Sequence, residues 1–403
     1  MKKKLSVLRF LLYLPVLFLG RNQLAAQQSG VDSATLSRIN ALEQEVADQK
    51  PGESHFMVAG LATMGFVSNS TNTITGGIGQ KVKTNSMADA DHYEFSPMFL
   101  WRHGKNLLLE FEPSFDGYGL GVNWADVSYF AAPGLIVRAG YFVLPFGTYN
   151  KRLAAGWIDK VAGDPVGLAD LPPSSDFGVE IEGGLPMGNM KFNYDVSVTN
   201  GMQMQSDGEL QGIGIVDNNK NKTITARVGW LPFQNSCLEI GLSGMFGKVG
   251  DAGTEWENVK TDMYAADLNF VKTLNPFLVN IKGQYNYIHV GDAQFVNPDD
   301  MSAYTFKNTT KTGFAQISLR PTGSNDNFVK NLEFAFRYGN FTTPGASLWA
   351  AKTNSWDFGL DYWLSWRTVL KFTYENMKTD NTVPASLNTV KSNSMFLQFS
   401  TEF

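Results

Sequence analysis

The sequence predicts an all-β fold: a transmembrane antiparallel β-barrel of about sixteen strands, preceded by a short periplasmic helix or coiled coil. Three observations carry this. Beyond its first residues the chain has no apolar stretch long enough to cross a bilayer as a helix, yet it holds 29 Phe, 9 Trp and 14 Tyr. From His55 onward apolar and polar residues alternate with a period of two, which in a strand sends them to opposite faces. The chain closes on such a segment, with Leu397, Phe399, Thr401 and Phe403 on one side and Gln398, Ser400 and Glu402 on the other. Hydrocarbon leaves no backbone group unpaired, so a chain without apolar helices crosses only as a closed barrel, its hydrophobicity hidden as alternation. A mean hydropathy of −0.17 fits that arrangement.

At the amino terminus, Met1-Lys2-Lys3-Lys4 is a positive region, Phe10 to Leu19 an apolar run too short for a span, and Leu24-Ala25-Ala26 a small-residue cleavage site. Residues 1–26 therefore read as a secretory signal peptide cut after Ala26. Removing its five basic residues leaves 28 of the 33 basic residues against 38 acidic ones, a net charge of about −10, which gives no reason to expect a nucleic-acid partner. Cys237 is the only cysteine, so no intrachain disulfide staples the fold. In the segment 27–53, Leu36, Ile39, Leu42 and Val46 recur at helical spacing, Asp32 or Ser33 can cap the start, and Pro51-Gly52 ends it. This is either a solvated amphipathic helix at the barrel mouth or a short coiled coil joining protomers.

The barrel, 54–403, divides into sixteen segments: 55–67, 91–103, 105–116, 120–130, 135–143, 176–186, 190–200, 222–231, 236–247, 259–271, 274–290, 310–320, 329–340, 352–365, 366–376 and 392–403. Connections after even-numbered segments are short turns such as His103-Gly104-Lys105 and Pro186-Met187-Gly188-Asn189. Those after odd-numbered ones are long: 68–90, 144–175, 201–221, 248–258, 291–309, 341–351 and 377–391. Only 117–119 breaks the alternation, which is that of short periplasmic turns and long extracellular loops. Leu107, Leu109, Phe111 and Phe115 oppose Leu108, Glu110, Glu112 and Ser114, and Val279, Ile281, Tyr285 and Tyr287 oppose Asn280, Lys282, Gln284 and Asn286. Apolar residues thus face out to lipid and charged ones in, the reverse of a soluble ligand barrel. A cylinder this wide cannot be filled by side chains, so its interior holds water.

The aromatic ending resembles the sorting signal by which Gram-negative outer-membrane barrels reach their assembly machinery, and assigns that role to Phe403, Phe399 and Leu397. Trp124-Ala125-Asp126-Val127-Ser128-Tyr129, Leu135 to Gly140, and Val143-Leu144-Pro145-Phe146-Gly147-Thr148-Tyr149-Asn150 together resemble the strand, turn, strand and Pro-Phe-Gly opening of the third loop in outer-membrane porins of the phosphate-selective porin O/P type. Thr199-Asn200-Gly201, Leu332 to Tyr338 and Phe358 to Tyr362 agree, so the resemblance spans most of 55–403. It implies a sixteen-stranded, usually trimeric porin passing small hydrophilic solutes or ions, with a third loop that folds into the lumen and narrows it. Here that loop, 144–175, is also the longest, and carries Lys151, Arg152, Asp159, Lys160, Asp164 and Asp170.

In the family, phosphate selectivity depends on a dense basic array in the lumen, and this chain departs from it. The inward set holds Arg102, Arg138, Lys191, Arg227, Lys282, Arg320, Arg337 and Lys371 against Glu94, Glu110, Glu112, Asp126, Glu180, Glu182, Asp195, Glu239, Asp267, Glu333, Asp357, Asp361, Glu375 and Glu402. Acids outnumber bases, which argues for a weak cation preference. Opposed rows creating a field across the pore stay open as an arrangement, with Arg138, Lys151 and Arg152 brought together by the loop.

Other chemistries find little support. A hydrolase needs a nucleophile with a base, but His55, His92, His103 and His289 fall at strand ends or turns and Gly-x-Ser-x-Gly is absent, so no enzyme is expected. Gly76-Gly77-Ile78-Gly79-Gln80-Lys81 lacks the ending of a phosphate cradle. Asp217, Asn219 and Asn221 have the spacing of a calcium loop without its Gly and Glu, so a weak calcium site and a polar turn both fit. No cofactor or metal signature appears, and a structural or adhesive barrel is the remaining rival.

Overall fold

The structure, a computed structural model, describes residues 54–87, 93–117, 119–168, 171–212, 214–383 and 387–403. The signal-peptide and helix or coiled-coil readings for residues 1–53, together with His92 and Asp170, lie outside the described residues.

Sixteen antiparallel strands close a cylinder. They are β1 (Ser54–Thr75), β2 (Tyr93–His103), β3 (Leu107–Asp116), β4 (Gly119–Ala132), β5 (Leu135–Val143), β6 (Ser175–Met187), β7 (Met190–Thr199) and β8 (Thr223–Leu231). Then follow β9 (Leu238–Lys248), β10 (Lys260–Leu274), β11 (Phe277–Val290), β12 (Asn308–Arg320), β13 (Leu332–Thr342), β14 (Ala351–Trp363), β15 (Thr368–Asn381) and β16 (Asn388–Glu402). Each strand pairs with its neighbours in sequence. β1 closes the ring, meeting β2 from Ser54↔His103 to Met64↔Tyr93 and β16 from Leu61↔Glu402 to Thr75↔Asn388. All sixteen expected segments are strands, their ends shifted by a few residues.

The largest departure is at the end with the long loops. The segment 68–90, expected as a loop, instead continues β1 to Thr75, turns at Gly76-Gly77 and returns as Ile78–Met87, paired to β1 from Phe66↔Met87 to Thr75↔Ile78. The stretch Ser68-Asn69-Ser70-Thr71-Asn72-Thr73 has no apolar face, so periodicity gives no signal, although its threonines suit a strand.

The faces follow the expected polarity. Leu109, Phe111, Val179, Ile181, Leu242, Phe358, Phe372 and Leu397 stand exposed on the outer surface, whereas Glu112, Asp126, Glu180, Arg227, Lys282, Gln284, Arg337, Asp361 and Lys371 are buried inside. Outward Phe56, Tyr129, Trp230, Phe277 and Trp366 ring the end with short turns, and Phe115, Phe177 and Phe246 the other end, as interfacial girdles do. At closure the backbone of Phe403 exchanges two 3.0 Å hydrogen bonds with Gly60, and its ring stacks on Phe95 at 5.7 Å. A Cβ at Gly60 would lie 2.6 Å from that ring, so this position requires glycine.

Candidate functional site

The segment between β5 and β6 crosses the interior and binds inward-facing side chains on most of the far wall. Gly147 N–H donates to Ser243 Oγ on β9 at 3.0 Å, and the N–H groups of Thr148 and Tyr149 donate to Gln284 Oε1 on β11 at 2.8 and 2.9 Å. Gly147 has φ +67°, and a Cβ there would collide with the Gln284 amide, so this approach needs glycine. After one turn at Tyr149–Leu153, Thr312 Oγ1 on β12 donates to Val166 O at 2.7 Å and Ala162 N–H donates to Thr373 Oγ1 on β15 at 3.0 Å.

Charge reinforces these contacts. Asp159 receives Tyr149 OH at 3.0 Å and lies 3.3 Å from Arg337 and 4.0 Å from Lys282. Burial alone would raise its pKa, but Lys282, Arg337 and Lys371 outweigh that and hold it below the ordinary 3.8. The Tyr149 hydroxyl is pushed well above its usual range, by burial first and then by Asp164 and Asp159. On the near wall, Lys151 Nζ donates to Glu180 at 2.8 Å, Glu182 at 2.8 Å and Asp195 at 2.7 Å. Those three carboxylates are spaced as a metal site would be, but the ammonium sits among them. They keep Lys151 protonated, outweighing a burial that would lower its pKa.

The residues expected to line a pore therefore separate. Arg138 lies 3.0 to 3.8 Å from Glu182, Glu180, Asp126 and Glu110, and shares Glu180 and Glu182 with Lys151. Arg152 pairs with Glu239 at 2.9 Å. All three bases line one cavity but are matched by acids. Arg337, bound to Asp357 and to Gly163 O, is covered by the loop. Lys160 lies 4.3 Å over the Trp363 ring, and both residues are buried. An inward side chain faces open space only where no loop packs on it.

Among the described residues, three cavities adjoin one another beside the loop. One of about 530 Å³ is lined by Tyr93, Glu94, Asp164, Glu375 and Met377. The next, about 450 Å³, shares Glu94 and Ala154 with it and adds Glu110, Glu112, Asn123, Trp124, Asp126 and Trp157. A third, about 680 Å³ beside the 133–134 turn, shares Arg152 with the second. Sequence reasoning missed Asn123, Trp124 and Trp157 as lining residues; their inward placement carried no charge to flag it. Over β7 to β12 the mouth is closed instead by a dry cluster of Phe146, Met202, Met204, Met245, Met263, Phe295 and Phe306.

Elsewhere, Asp217 pairs with Lys222 and Asn219 Oδ1 accepts from Asn221 N–H, which is the polar turn. Ser54 Oγ and His103 Nδ1 are 2.9 Å apart on the exposed rim, a pair that sequence reasoning did not foresee. Among the described residues no carboxylate is recorded in hydrogen-bond or ion-pair contact with that ring.

No family model matches the chain, and no curated protein matches it in sequence. Solved structures do. The barrel is similar to the outer-membrane channel DcaP of Acinetobacter baumannii, with 13% identity over 87% of this chain and 97% of that one, at a TM-score of 0.53. An anion-selective porin from Comamonas acidovorans aligns with 15% identity over 87% of this chain and all of its own, at 0.51. OmpF of Salmonella typhi, in complex with daunomycin, aligns with 11% identity over 85% and 97%, at 0.50. At these identities the likeness shows the fold: a sixteen-stranded barrel of the outer-membrane porin type.

Proposed function

We propose that this chain is a porin of a Gram-negative outer membrane, forming a water-filled channel for passive diffusion of small hydrophilic solutes and ions. The observation that carries it is the row of three adjoining cavities along the wall that runs from β15 through β1 to β7, polar inside a cylinder whose outer face is apolar. The segment 144–175 sets the narrowest point, since it fills the rest of the bore. The barrel assembles as a homotrimer through the barrel-assembly machinery, as the family resemblance implies, and performs no catalysis. After removal of residues 1–26, the segment 27–53 stays on the periplasmic side.

A phosphate- or anion-selective porin is the second reading, supported by the likeness to the O/P type and by the Comamonas neighbour. Against it, Arg138, Lys151 and Arg152 each face carboxylates, so they offer a divalent anion little net positive potential. Conductance of purified protein in planar bilayers tests both. A stable ohmic channel whose conductance rises when residues between Thr148 and Leu168 are shortened is expected. A barrel that does not conduct favours a structural or adhesive role, and an anion-selective reversal potential abolished by neutralising Lys151 and Arg152 restores the phosphate reading.

A further inference from the structure

The interior charges fall into two groups. Most bases on the loop and the wall opposite it are matched: Lys151 by three carboxylates, Arg152 and Arg227 by Glu239, and Arg337 by Asp159 and Asp357, while Lys160 lies over the Trp363 ring and Lys371 donates to Asp159 O. Among the described residues four carboxylates along the cavities have no ion pair: Asp164, which accepts from Tyr149 OH at 2.7 Å, Glu375, and the two that meet where the cavities join, Glu94 and Glu112. Among the described residues Glu94 accepts from Ser96 Oγ at 2.5 Å and Asn123 Nδ2 at 3.3 Å, and Glu112 from Asn123 Nδ2 at 2.8 Å. Glu112 is 5% exposed and borders the cavity, yet its second oxygen has no partner among the described residues. Neither acid has a cation within ion-pair distance among the described residues. Glu94 lines both cavities, so any solute moving between them passes it.

Resting on the channel reading above, we propose that Glu94 and Glu112, spanned by the Asn123 amide, form the selectivity site of the passage and that its preferred solutes are small monovalent cations. Two acids held together by one neutral amide concentrate negative potential at the junction, whereas the paired bases beyond them contribute little. An entering cation supplies the missing charge for the open oxygen of Glu112 and is not trapped, because Glu94 offers a second position a step away. Multi-site binding of this kind permits conduction. The Debye length is about 10 Å at 0.1 M salt, so the junction dominates at that concentration and is screened in molar salt.

The test is the reversal potential of the full-length protein in planar bilayers across a KCl gradient near 0.1 M at pH 8. The wild type and the exposed-loop variant Asp299→Asn should favour K⁺ over Cl⁻ several-fold, a preference that fades in molar salt. Glu94→Gln/Glu112→Gln should bring the two permeabilities close to equal while still conducting. The single variants should lie between, and they decide the matter if the double variant does not assemble. A conducting double or single variant with the wild-type ratio overturns the assignment, as does an anion-selective wild type. A wild type that does not conduct removes the channel reading itself, and the selectivity site with it.

Discussion

Gly147→Ala should loosen the loop from the far wall. A residue with a Cβ at φ +67° costs about 1–2 kcal/mol. The same Cβ displaces the Gln284 amide, which accepts from Thr148 and Tyr149 N–H at 2.8 and 2.9 Å, and each lost buried bond costs about 1 kcal/mol. Together these amount to about 3 kcal/mol against the docked conformation, or roughly a hundredfold in its equilibrium with an undocked one. Lys151 and Asp159 still anchor the segment beyond, so the loop is not expelled; its first part opens transiently. In single-channel recordings this reads as frequent excursions to a higher conductance that are rare in wild type, with heat-modifiable gel mobility retained. A variant whose conductance and noise match wild type would refute the reasoning, because it would mean that the Gln284 contacts do not hold the loop.

Leu109→Arg and Val279→Arg should each destabilise the barrel by roughly 2–4 kcal/mol if their positions lie near the bilayer midplane, with Glu110→Gln costing far less; denaturant unfolding in lipid vesicles measures both, and the opposite order would mean that the faces are reversed. Deleting Phe403 or changing it to Asp removes the stack on Phe95 and should lower the outer-membrane yield of heat-modifiable protein. The Asp159 carboxyl is held below 3.8, so its stabilisation of the loop is complete above the ordinary carboxylate range and is lost only as pH falls through its lowered value. Asp159→Asn should therefore show at neutral pH the loosened gating that wild type shows only in strong acid, and a variant that stays quiet at pH 7 would count against this anchor.

The barrel was legible because lipid and water impose opposite demands on adjacent residues, as in Leu109 and Glu110 or Ile281 and Lys282. The legibility ends where lipid ends: Ser68 to Thr75 form a strand without an apolar face, held by pairing with Asn388 to Met395 and with Ile78 to Asn85 and by side-chain bonds of Asn69 and Thr71 to Ser392. The interior is a second boundary. Inward orientation could be read for Arg337 and Lys371, but not that Asp159, far away in sequence, would come to lie between them. Nor does any local pattern join Gly147 to Gln284, which depends on how the loop crosses the bore, or Asn123 to Glu94 and Glu112, which depends on the register shift where β3 meets β4.

A closed barrel abolishes sheet edges, yet the hairpin on β1 creates one again. Ile78–Met87 pairs with β1 along one side only, leaving ten residues whose other backbone edge meets no strand among the described residues. An unpaired edge invites the edge of another copy, and aggregation along it would join barrels outside the membrane. The sequence there reads Gly79-Gln80-Lys81-Val82-Lys83-Thr84-Asn85: two lysines flank the one exposed valine, so two such edges would bring like charges together. The hairpin can thus stand clear of the bilayer as ordered sheet while charge repulsion keeps it from templating a sheet between neighbours.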